Sequence, residues 1–157
     1  MTITLVVVGR VRGDLAEAVA GYEARVDHYW KFEVVEVAAG APGGRDDADA
    51  VMAAEGDRIL ARLPEGAEVA ILTRDGKAMS SRELSAWLQD HAVHGSRGVA
   101  LVIGGAYGIH EAVLKRAGRR ISLSAMTLPH EMARLILVEQ IYRAGTLVRG
   151  EPYHKGP

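Results

Sequence analysis

The sequence predicts an α/β fold with a mostly parallel sheet and helices on both of its faces. Three observations carry that prediction. Five short runs rich in Val, Ile or Leu show little polar alternation, as strands covered on both faces do. Longer amphipathic stretches separate them. The resulting order is strand then helix throughout, which calls for parallel strands joined by crossover helices.

The elements follow in order along the chain. Residues 4–9 form the first apolar run and 14–28 the first helical stretch. Residues 32–37 read as the second strand. The segment 39–50 holds Gly40, Pro42, Gly43 and Gly44, which mark a flexible, solvated connection. A helix is expected over 46–63 and a strand over 68–73, followed by Asp75-Gly76 as a turn signal. Ser80 with Glu83 is a capping box that opens a helix over 80–94, and Gly95 stops it. A strand over 98–104 precedes a helix over 110–117, with Gly118 as its stop. The last strand covers 121–124. The last helix covers 129–148 and starts where Pro129 loses no needed N–H.

Composition narrows the possible chemistry. With 157 residues and 48% hydrophobic content, the chain is expected to be a single domain over 1–157. The absence of cysteine excludes a disulfide framework, a thiolate zinc site and a cysteine nucleophile. The opening apolar run lacks a basic leader and stops at Gly9-Arg10, too short for a signal peptide or a membrane span, so a cytoplasmic location without a membrane is expected. No H-x-x-x-H or H-E-x-x-H pattern exists, so no metal is expected, and no G-x-S-x-G points to serine hydrolysis. The net charge of −1 places any RNA contact on a local patch, or on one assembled from two subunits.

Three strand ends could line one crevice, because ligands of parallel sheets bind at the C-terminal ends of the strands. The first is Leu72-Thr73-Arg74-Asp75-Gly76-Lys77. The second is Val102-Ile103-Gly104-Gly105-Ala106-Tyr107-Gly108, whose glycines let backbone approach a ligand, although its spacing is not the dinucleotide G-x-G-x-x-G. The third is Ser122-Leu123-Ser124-Ala125-Met126-Thr127-Leu128-Pro129. Its backbone could read an adenine edge while Leu123, Met126 and Leu128 pack on the ring; alternatively it is a capping loop with Thr127 as the cap. The last helix is apolar over most of its circumference, from Met132 to Tyr142, so it is expected to be buried on more than one side, with a partner subunit on one of them. Glu139 and Arg143 stand at i and i+4 as a helix-surface pair. The tail Arg149-Gly150-Glu151-Pro152-Tyr153-His154-Lys155 should be loose by the general rule for chain ends. Yet it concentrates groups that stack on bases, neutralise phosphate and exchange protons.

Together, LVVVG near the start, L-x-x-x-G-K from Leu72, V-I-G-G-A-Y-G from Val102, L-S-A-M-T-L-P-H-E from Leu123, E-x-x-Y-R-A from Glu139 and the terminal P-Y-H-K resemble the bacterial family of large-subunit ribosomal RNA pseudouridine N3-methyltransferases, of the SPOUT class. The likeness runs from end to end and is most specific from Gly104 onward. It implies an α/β knot in the C-terminal part and a homodimer. It also implies S-adenosylmethionine held against Leu72, Gly104, Leu123, Ser124, Ala125, Met126, Thr127 and Leu128. The substrate it implies is a pseudouridine of 23S ribosomal RNA in the assembled ribosome. Tyr153 and His154 of one subunit would reach the cofactor of the other, with Arg143 close by. The sequence departs from the family pattern at Thr73, at Ala106-Tyr107 and in the acidic segment around Asp46, Asp47 and Asp49. Two other readings stay open: a SPOUT-like methyltransferase of another RNA, and a non-catalytic ribosome-binding factor.

Overall fold

A computed structural model describes residues 1–95 and 97–155. Ser96, Gly156 and Pro157, which the single-domain expectation includes, lie outside the described residues. The strands are β1 (Thr2–Val8), β2 (Lys31–Val37), β3 (Glu68–Ala78), β4 (Val99–Ile103) and β5 (Arg119–Ser122). The helices are α1 (Ala16–Val26), α2 (Ala48–Leu60), α3 (Ser81–Val93), α4 (Glu111–Arg116) and α5 (His130–Val148). The strands form one parallel sheet in the order β2-β1-β4-β3-β5.

The near-continuous apolar runs are explained by two cores. Successive side chains of a strand point to opposite faces. Ile3, Leu5 and Val7 of β1 and Leu101 and Ile103 of β4 therefore meet α1, α3 and α5 through Val26, Leu88, Leu137 and Ile141. Val6 and Val8 of β1, with Ala100 and Val102 of β4, meet α2 and α4 through Ile59 and Val113 on the other face. Both cores are apolar, so the central strands show no alternation. Strand β2 is an edge strand and is only partly covered: Phe32 and Val34 pack on the first core and Val35 and Val37 on the second, while Lys31, Glu33 and Glu36 are exposed.

Local signals explain several element ends. The Ser80 hydroxyl accepts the Glu83 N–H at 3.1 Å, and the Glu83 carboxylate accepts the Ser80 N–H at 2.6 Å. That second bond is the chief reason the Glu83 carboxyl is held below its ordinary value. Gly95 follows the end of α3 with φ +69°, as a helix stop requires. Gly118 does not play that part. Its N–H donates to the Val69 carbonyl at 2.9 Å, and a Cβ there would lie 2.6 Å from Glu68 Oε1. Its smallness lets the chain enter β5 beside β3.

Asp75-Gly76 is likewise not a free turn. Strand β3 leaves β4 after Ile71, bulges between Leu72 and Lys77, and then pairs again with β5. A Cβ on Gly76 would stand 2.7 Å from the Ile121 carbonyl carbon and 2.8 Å from that of Arg120. Glycine is needed because two backbones cross closely, not because of a left-handed turn.

Helix α5 lies between α1 and α3, which accounts for much of its apolar circumference within one chain. Trp30 Nε1 donates to the Ile141 carbonyl at 3.2 Å, and Ser85 Oγ donates to that of Ala144 at 3.0 Å. Arg134 ties α5 to its neighbours from a buried position. It donates to Glu23 Oε1 at 2.8 and 2.7 Å and to Glu36 Oε2 at 2.8 Å. Breaking a buried ion pair by removing one partner costs about 3–5 kcal/mol. The Glu36 side chain is 43% exposed, so solvent screens part of this loss. Arg134→Ala is therefore expected to lower stability by about 2 kcal/mol in urea unfolding.

Candidate active site

The C-terminal ends of β3, β4 and β5 and the start of α5 enclose a cleft of about 750 Å³. Its size falls in the usual range for small-molecule sites, roughly 300–1,000 Å³. Leu72, Gly104, Leu123, Ser124, Met126, Thr127 and Leu128 line it, so the three strand ends do converge as the sequence suggests. Ala125 sits on the same loop but is not among the lining residues.

Each wall has a local cause. Gly104 ends β4 beneath Ile109; a Cβ at this position would come within 2.5 Å of Ile109 Cδ1. The chain then makes a tight turn in which the Gly108 N–H donates to the Gly105 carbonyl at 3.1 Å, and Gly108 has φ +92°. The third wall is pinned to the first. Arg74 Nη1 donates to Thr127 Oγ1 at 2.9 Å, and Ser122 Oγ donates to the Arg74 carbonyl at 3.1 Å. Within the loop, the Met126 N–H donates to Ser124 Oγ at 3.0 Å. Thr127 is therefore a partner of Arg74 rather than a helix cap; Pro129 stands at the cap of α5 and makes no side-chain cap bond. The first turn of α5 is thus left facing the cleft with the positive end of its dipole.

The lining suits a nucleoside with a charged, polar tail. Ile103, Leu123 and Leu128 offer apolar surface for a flat base. Thr73 Oγ1 is buried at the cleft and has no hydrogen-bond partner among the described residues, so a ligand's polar atom would satisfy it. Met126 at the mouth is 77% exposed, an apolar side chain without a cover. Sequence reasoning misses Arg120, His130 and Ala133, which line the cleft from outside the three strand ends, and it misses how Thr73 and Arg74 are aimed. Their strand end was singled out, but the bulge that aims them could not be read from it.

Residues 1–154 match a family described as predicted SPOUT methyltransferase. The chain belongs to the SPOUT methyltransferase family. This SPOUT chain is similar to proteins named ribosomal RNA large subunit methyltransferase H. The relative from Gemmatimonas aurantiaca is 48% identical over 156 residues, covering 99% of this chain and 100% of the relative. One from Listeria monocytogenes serotype 4b is 47% identical over 159 residues, covering 99% and 100%. One from Syntrophotalea carbinolica is 44% identical over 155 residues, covering 98% and 99%. Membership brings the α/β knot to the C-terminal part of the chain, and it implies a methyl donor.

The tail of this SPOUT methyltransferase is packed, not loose. Gly150, at φ +67°, turns the chain back after α5, and the Glu151 N–H donates to the Thr146 carbonyl at 2.9 Å. The Tyr153 ring lies 4.6 Å from that of Tyr142, and its hydroxyl donates to Glu139 Oε1 at 3.0 Å. Burial, and then the Tyr22 hydroxyl and the Glu139 carboxylate, raise the Tyr153 phenol above its ordinary value. Tyr29 donates to Glu151, and that bond raises its phenol to about 12.

Arg143 gives Nε and Nη2 to the same Glu139 oxygen, at 3.1 and 2.6 Å. The i, i+4 pair expected from the sequence is therefore present, but it is more than a surface pair. Glu139 also takes Tyr153, and the Arg143 guanidinium stands 5.0 Å over the Tyr153 ring. His154 Nδ1 is buried without a partner among the described residues. Arg143 and Tyr153 are thus in contact and His154 follows directly in the chain, yet none of the three lines the cleft. From Ala133, where α5 borders the cleft, to Arg143 is about 15 Å along the helix axis. Among the described residues, no helix is long and apolar enough to cross a membrane, and no acidic, His or Cys cluster could hold a metal.

Proposed function

We propose that this single-domain chain works in the cytoplasm as a homodimer, methylating N3 of a pseudouridine in 23S ribosomal RNA of the assembled ribosome. Leu72, Gly104, Leu123, Ser124, Met126, Thr127 and Leu128 hold S-adenosylmethionine in the cleft, and Ala125 belongs to the same loop. When bound, it supplies a sulfonium methyl group that is open to in-line attack. The observation that carries the reading is the separation on one chain of a ligand-sized cleft from a packed group of proton-handling and cationic side chains. A second subunit, laying its tail over this cleft, would bring the two together.

The side chains then have distinct tasks. N3 of pseudouridine must lose a proton as it becomes a nucleophile, and His154 accepts or relays that proton. Arg143, already fixed by Glu139, stabilises the negative charge that develops on the base. Tyr153 stacks on the base or hydrogen-bonds to it. The test is transfer of labelled methyl to ribosomes, separate subunits and tRNA, with mapping of the product. The expected product is a large-subunit RNA carrying a methyl on N3 of a pseudouridine. Labelled tRNA, or no transfer by a chain that binds S-adenosylmethionine in calorimetry, would contradict it.

A further inference from the structure

The acid Glu55 of α2 is 3% exposed, a burial that its place in an amphipathic helix does not explain. A buried carboxylate is costly unless its oxygens are bonded. One oxygen is: Oε2 accepts the Gly40 N–H at 2.9 Å. The other, Oε1, has no partner among the described residues. It faces Gly105, where a Cβ would stand only 2.6 Å away. Glu55 thus touches two segments at once. One is the start of the irregular stretch after β2; the other is the glycine turn at 105–108, which also lines the cleft.

The neighbours of Glu55 on α2 reinforce this placement. Arg58 Nη1 donates to the carbonyls of Ala38 and Gly40 at 2.7 and 2.6 Å. Gly56 brings α2 so close to the next segment that a Cβ there would be 2.9 Å from His110 Cβ. One turn of α2 therefore seats both segments, and the unbonded Oε1 lies directly against Gly105 of the turn.

We propose that Glu55 is a positioning residue for cofactor binding, bracing the 105–108 turn against the 38–40 segment so that an occupied cleft also holds that segment still. A ligand pressing on the open side of the turn seats its backbone on Oε1; the same carboxylate then holds Gly40 more firmly through Oε2. The inference rests on the reading of the cleft as the S-adenosylmethionine site.

Hydrogen exchange and calorimetry on the full-length protein test it. In the native chain, S-adenosylmethionine should slow exchange of the Gly40 amide. Glu55→Gln keeps the shape but replaces one acceptor by a donor. It should weaken S-adenosylmethionine binding about tenfold, leave the unfolding midpoint of the free protein nearly unchanged, and abolish the ligand's effect on Gly40. Gly105→Ala, which pushes on Oε1 from the turn, should speed Gly40 exchange with no ligand present. A purely structural Glu55 would instead shift the midpoint and leave affinity intact. Unchanged Gly40 exchange in Gly105→Ala, or undiminished affinity in Glu55→Gln, overturns the proposal. A native chain that fails to bind S-adenosylmethionine overturns the cleft reading instead, and the ligand-free Gly105→Ala result still decides the bracing.

Discussion

Arg143→Ala is expected to slow methyl transfer to ribosomes about 100-fold, the usual loss when a fixed donor to a developing negative charge is removed. Two donors of the guanidinium converge on one Glu139 oxygen, so its direction is set, and a guanidinium keeps its charge at any working pH. The group lies away from its own cleft, so S-adenosylmethionine affinity should change little in the variant. Arg143→Lys keeps the charge but not the planar fork, and should lie between the two. Single-turnover rates and calorimetry on the same preparations separate these effects. Equal losses of affinity and rate would mean that the substitution disturbs the cleft, contrary to this account.

Gly76→Ala is expected to be among the most damaging substitutions of a single small residue. Its Cβ would meet the backbone of Arg120 and Ile121, and backbone cannot rotate away as a side chain can. The overpacking cost is about 3 kcal/mol, or a fall in Tm on the order of 10 °C for a domain of this length. Thr73, Arg74 and Asp75 precede it in the bulge and line the cleft, so cofactor affinity should fall with stability. Gly21→Ala is the control. It lies in α1 with no atom within 4 Å of the added carbon, and should stabilise the protein by about 0.5–1 kcal/mol. Thermal melts of both variants check the contrast. Equal behaviour would show that the β3–β5 crossing has room for a methyl group, contrary to its close backbone approach.

These residues show where the sequence was readable. The central strands were legible because both of their faces are apolar, so that Ile3, Leu5 and Val7 with Val6 and Val8 make one short continuous run in β1. The capping box at Ser80 and the stop at Gly95 were legible because their chemistry is local. Gly76 and Gly118 misled, because both are small for the sake of a distant chain segment, and sequence spacing carries no such distance. The cleft was legible as three loops at strand ends. Its internal bonds were not: Arg74 reaches Thr127 only because β3 bulges and re-pairs with β5. The roles of Arg143, Tyr153 and His154 came from resemblance alone. The tail's packing onto Tyr142 and Glu139 contradicts the general expectation of a frayed end, because Gly150 reverses the chain onto α5.

The central claim is that the cleft of one subunit works with the tail of another, and mixed dimers test it most directly. Leu128→Glu spoils the cleft wall, and Arg143→Ala spoils the group beside the tail; each alone should be nearly inactive on ribosomes. Denatured together in equal amounts and refolded, they should recover about one quarter of native turnover per chain, since half the dimers are mixed and one of two sites in each is whole. A mixture no more active than the sum of its two parents would contradict the account, placing cleft and tail in the service of the same chain.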